Sequence, residues 1–98
     1  MNKEQKKLIE KELEFQNACG LGKIEKVYDI ISNFSIDIKC NSNNAIKWAM
    51  LNNHIDVVKF LINKGALQNN NIETFVNLRI KNKNIINLIR SNKKLLNF

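Results

Sequence analysis

Ninety-eight residues suffice for one small domain and are too few for two independent cores. With 44% hydrophobic and 26% charged residues, no proline and three glycines, the composition excludes a disordered chain and favours helices over many short strands. The formal net charge of +7 is uneven: residues 1–14 balance four lysines against four glutamates, whereas residues 67–98 set six basic residues against Glu73 alone.

The N-terminal "MNKEQKKLIEKELE" is charged at nearly every turn and has no apolar stretch for a secretory signal. No segment approaches the roughly 20 apolar residues of a membrane span. A soluble, cytoplasmic protein with reduced Cys19 and Cys40 and no membrane association is therefore expected. Good helix formers and Leu8, Ile9, Leu13 and Phe15, placed to share one side, predict a helix from about Lys3 to Ala18. Residues 1–14 read as an N-terminal helical cap, either continuous with the first helix of copy one or a separate capping turn.

A repeat follows. "FQNACGLGKIEKVYDII" (15–31) and "IKWAMLNNHIDVVKFLI" (46–62) align without a gap at a spacing of 31, pairing Phe15 with Ile46, Ala18 with Ala49, Ile24 with Ile55 and Val27 with Val58. Between the copies, Ile36, Ile38 and Cys40 alternate with Asp37 and Lys39, as in an extended arm with one buried face. Asn41 to Asn44 then predict a turn and a helix start before Ala45, and Asn69 to Asn71 predict another turn. A weaker third copy, "FVNLRIKNKNIINLIRSN" (75–92), carries Phe75 and Leu78 at a spacing of 29 and Ile85, Ile86, Leu88 and Ile89 at a spacing of 28. Each copy predicts helix, turn, helix. One domain over residues 1–98 is expected, with copies at 15–43 and 44–71 and a degenerate C-terminal cap at 72–98.

"NAIKWAMLNNHIDVVKFLINKGA" (44–66) resembles the ankyrin repeat family. Asn44 stands at the Thr of the family's TPLHxA helix, Ala45 at its Pro, Ile46 at its Leu, Lys47 at its His and Ala49 at its Ala, and Gly65 and Ala66 match the closing pair. Asn53 replaces the turn glycine, which Gly22 supplies in the first copy. The resemblance covers about residues 13–92 and implies an all-α helix-turn-helix solenoid that binds another protein without catalysing a reaction. It also implies a structural His54, bonded to backbone of neighbouring loops. Partners of the family meet the hairpin tips and the open side of the first helices, which here implies Asn41, Asn43, Lys47, Leu51 and Asn52, with Gln16, Leu21, Ile80 and Lys81 in the other copies. Leu21, Leu51 and Ile80 are expected to form an apolar ladder that either is exposed for contact or is closed over by the shortened repeats.

Chemistry has little support. His54 is the only histidine, and Cys19, Cys40 and His54 lack metal-ligand spacing. Cys19 lies beside a small core position, where a thiol is shielded. "GLG" (20–22) lacks the strand, third glycine and Lys-Ser/Thr of a phosphate cradle and reads as a turn. No cofactor and no enzymatic activity are expected. Trp48 is expected to pack between copies. The basic third offers a second reading, nucleic-acid or polyanion binding through Arg79, Lys83, Arg90 and Lys94, although Asn82 to Asn84 are expected to interrupt that stripe. A small effector or adaptor acting on host proteins is a third reading, and a homodimer that hides the open end of a short stack is a further option.

Overall fold

The computed structural model describes residues 2–66, 75–77 and 79–96. Five helices can be delimited among these residues, in chain order: α1 (Lys3–Gly20), α2 (Ile24–Asn33), α3 (Cys40–Leu51), α4 (Ile55–Asn63) and α5 (Lys83–Leu96). Residues 75–77 and 79 are also helical, and no strand occurs among the described residues. The chain is all-helical, as its composition implies. The turn expected at Asn69 to Asn71 lies outside the described residues.

The N-terminal cap and the first helix of copy one are a single helix. Asn2 starts it: its Oδ1 accepts from the backbone N–H of Gln5 at 2.8 Å, and Gln5 Oε1 accepts from the N–H of Asn2 at 3.2 Å. This reciprocal capping box satisfies two donors that a helix start leaves open. Burial begins only at Phe15, while residues 2–10 are all exposed, so the first half of α1 overhangs the body of the fold. The expectation that Leu8, Ile9 and Leu13 share a buried side with Phe15 is corrected here: they remain 39%, 43% and 51% exposed, because no other helix among the described residues covers them.

The turns of the first two copies repeat bond for bond. The N–H groups of Leu21, Gly22, Lys23 and Ile24 bond to the carbonyls of Asn17, Cys19, Ala18 and Gly22. Thirty-one residues on, those of Asn52, Asn53, His54 and Ile55 bond to Trp48, Met50, Ala49 and Asn53. The pivot is left-handed in both, with φ 73° at Gly22 and φ 62° at Asn53. Glycine and asparagine tolerate that region best, which explains why those two residue types alternate here. Gly22 meets a second demand, since a Cβ on it would overlap Nδ1 of His54 and stand 2.6 Å from Cε1. The imidazole of copy two thus lies flat on the turn of copy one. Among the described residues His54 packs on Gly22, and no hydrogen bond from its side chain to the backbone of neighbouring loops is seen.

The arm between the copies keeps its alternation of burial without becoming a strand. Ile36, Ile38 and Cys40 are half-buried and Ser35, Asp37 and Lys39 exposed. Asp37 turns the chain, its Oδ1 accepting from Lys39 N–H at 3.0 Å and its carbonyl from Cys40 N–H at 3.1 Å. Helix α3 therefore starts at Cys40, earlier than the expected start at Ala45. Asn41 and Asn43 nevertheless have φ of 53° and 64°, so the first turn of α3 is not regular α-helix, in keeping with the turn chemistry of that asparagine run.

Helix α1 packs on α2 and α3, α3 on α4, and α4 on α5. The buried stripes coincide at the expected spacings: Val27 and Ile30 recur 31 residues on as Val58 and Leu61, and Val57 and Leu61 recur 28 residues on as Ile85 and Ile89, joined by Phe15, Ile46, Ala49 and Met50. Each fully buried aliphatic side chain contributes roughly 1.5 to 3 kcal/mol before conformational entropy is charged. Tyr28 and Phe60 meet edge to face across α2 and α4 with centroids 4.7 Å apart. Trp48 packs on Gly20, where a Cβ would stand 3.2 Å from the tryptophan Cβ and 3.4 Å from its Cε3, yet the residue remains 38% exposed.

Candidate protein-binding surface

The turns that repeat along the chain are also tied to one another. Asn52 Nδ2 donates to the carbonyl of Gly20 at 2.7 Å, joining the second turn to the first. Asn82 Nδ2 donates to Asn53 Oδ1 at 3.2 Å, joining the third to the second. Asn82 also caps α5, its Oδ1 accepting from the backbone N–H of Asn84 at 2.9 Å. These bonds leave the turn region as one connected edge of the molecule.

On that edge lies a solvent-open cleft of about 450 Å³. Met50 and Leu51 at the end of α3 and Asn53 in the turn form one wall, and Arg79, Ile80, Lys81 and Asn82 form the other. Leu51 is 47% exposed, whereas Met50 and Ile80 belong to the core and supply the floor. Arg79 and Lys81 are exposed. The cleft thus offers an apolar side chain beside two cations and two amides, with no acidic residue among the lining groups. An apolar group next to a carboxylate is the chemistry it complements.

The expected partner-binding residues divide sharply. Leu51 and Lys81 line the cleft together with Arg79, which sequence reasoning had assigned to polyanion binding. Leu21 is 63% exposed as the cap residue of α1, and Asn41 is exposed at the start of α3. Lys47 is half-buried, with its ammonium 5.5 Å from the centre of the Phe75 ring, a cation–π contact that links copy two to copy three. Asn52 is exposed but committed to Gly20.

Three of the expected contact residues are corrected. Gln16 is buried between α1 and α3, and its Nε2 donates to Cys40 Sγ at 3.3 Å. Asn43 is buried, and its side-chain amide has no hydrogen-bond partner among the described residues. Ile80 is buried and packs in the core. The proposed ladder of Leu21, Leu51 and Ile80 also mixes registers: Leu21 and Asn52 are the equivalent cap residues, so Leu51 corresponds to Gly20.

Of the polyanion set, Arg79, Lys83 and Arg90 are exposed, and the side chain of Lys94 lies outside the described residues. Residues 80–82 are not helical, so Arg79 is separated from α5 as the asparagine pair at 82 and 84 led one to expect. Lys83 and Arg90, seven residues apart, share one face of α5.

Sequence reasoning missed Met50, Asn53 and Asn82. A signal existed for the last two, because their separation of 29 residues is one of the repeat spacings and both sit at turn positions.

Neither thiol is set up for chemistry. Burial, with Cys40 nearby, pushes the Cys19 thiol up to about 12, and burial, with Glu12 adding to it, pushes Cys40 up to about 11. Thiols that hold their protons this far above neutrality are poor nucleophiles and poor metal ligands. No cluster of His, Cys, Asp or Glu suited to a metal occurs among the described residues, and none of their helices is long and apolar enough to cross a membrane. No protein-family model matches the chain, and no curated protein or solved structure matches it significantly.

Proposed function

We propose that the chain is a short ankyrin-like solenoid that binds another protein, without catalysis, through the turn edge centred on Leu51, Arg79 and Lys81. The observation that carries this reading is the cleft itself, in which an exposed leucine lines one wall and two cations the other on a hydrogen-bonded edge. Bond-for-bond repetition of the first two turns supports the solenoid part of the reading. An acidic segment with one apolar anchor is the partner chemistry that fits, which makes a small adaptor or effector role the natural cellular one. Affinity capture from the native cell tests it, with Arg79→Glu/Lys81→Glu as the control. The reading expects partners that the wild type retains and the variant loses; identical capture by both would refute it.

Nucleic-acid binding is the second reading, favoured by the shared face of Lys83 and Arg90 on α5. It expects tight, steeply salt-dependent binding of duplex or single-stranded DNA, and absence of binding at low salt eliminates it.

A further inference from the structure

The overhang of α1 is a helix face without a partner among the described residues, on which apolar residues and charges are organised along the axis. Leu8, Ile9 and Leu13 are each about two-fifths to one-half exposed. At 100° per residue they span one broad side of the helix. The opposite flank is occupied, since the ammonium groups of Lys7 and Lys11 lie 5.8 and 4.9 Å from the centre of the Phe34 ring. Charge changes sign from one end of the overhang to the other. Residues 3–7 hold Lys3, Lys6 and Lys7 against Glu4, a net +2, and residues 10–14 hold Glu10, Glu12 and Glu14 against Lys11, a net −2.

A segment that is positive at one end, negative at the other and apolar in between is complementary to itself when reversed. We infer that the α1 overhangs of two copies of this chain pair antiparallel about Leu8 and Ile9, with Leu13 of each copy flanking that centre, making a two-fold symmetric dimer. Reversal sets residues 3–7 of each copy against residues 10–14 of the other, while a parallel pairing sets like charge against like. A two-fold contact requires one self-complementary patch, and this one is distinct from the cleft at Leu51, so a dimer leaves that surface free. The remaining charge does not oppose the pairing. The basic excess lies in residues 67–98, and α5, which carries much of it, packs on α4 rather than on α1. Two helices touching over about three turns bury less than a standard interface, so the association is reversible and concentration-dependent.

Sedimentation equilibrium of the full chain over roughly a hundredfold range of concentration tests the inference. The wild type is expected to pass from monomer to dimer, weakening as salt is raised, and Ile9→Glu and Leu13→Glu are expected to remain monomeric with unchanged helix content. Orientation is read from cross-linking under mild oxidation: Ile9→Cys, near the two-fold axis, joins to its copy, and Lys3→Cys does not. Cys19 is buried and Cys40 half-buried, so the introduced thiol is the accessible one. A wild type that is monomeric throughout would overturn the inference. So would a dimer that survives both glutamate substitutions, equal cross-linking at positions 3 and 9, or burial of the same face of a monomer in phosphatidylserine vesicles.

Discussion

The first and second turns have the same backbone and different reasons for it. Both bond the same way and both pivot on a left-handed residue, Gly22 in one and Asn53 in the other. At Gly22 the absence of a side chain is essential, because His54 of the next copy occupies the space where a Cβ would stand. At Asn53 a side chain is used, its Oδ1 accepting from Asn82 of the copy that follows. Repeated geometry therefore does not imply interchangeable residues: each turn is shaped by what the next copy lays against it.

Substitutions separate these roles. The largest effect is expected for Gly22→Ala, which meets both a positive φ and the imidazole: about 3 kcal/mol, or a fall of roughly 15 °C in the melting midpoint. Removing the ring with His54→Gly in the same chain should recover the steric part of that loss, a coupling that a double-mutant cycle measures. At the third turn, Ile80→Ala is expected to cost about 2 kcal/mol as a core truncation, whereas Leu51→Ala, on the cleft rim, stays within about 0.5 kcal/mol. Asn52→Ala, losing the bond to Gly20, should cost about 1 kcal/mol. Asn53→Gly should change stability by less than about 0.5 kcal/mol, since glycine accepts the backbone and only an exposed hydrogen bond is lost. Chemical denaturation of the set orders them.

The most specific effect, absent near neutral pH, concerns alkaline pH. In the unfolded chain the thiols ionise around 9, while folding holds the proton on Cys19 up to about 12. Above pH 9 the folded state therefore binds more protons than the unfolded state, and stability falls as pH rises through that window. Cys19→Ala should flatten this alkaline decline and leave the stability difference at pH 6 and pH 8 the same.

Helical class and repeat were legible because they rest on periodicity: the gapless 31-residue alignment marked Val27 with Val58, and both are buried. Surface assignment failed where it relied on position within a motif. Nothing in the letters around Gln16 reports that α1 lies so close to α3 that its amide meets Cys40, and nothing near Ile80 reports that this tip residue is drawn into the core. Leu8, Ile9 and Leu13 erred in the opposite sense. An amphipathic pattern specifies a face, but only tertiary structure decides whether another helix reaches it. The cleft was half legible, through Leu51, Arg79 and Lys81, whereas its asparagine tie could be found only by placing turn against turn.

That the turn edge binds and the repeats beneath it hold it in place is tested most directly by Leu51→Glu, measured for partner capture and thermal unfolding in the same preparation. The account predicts that captured partners are lost while helix content and melting midpoint match the wild type. Unfolding of the variant, or undiminished capture by a folded one, would contradict it.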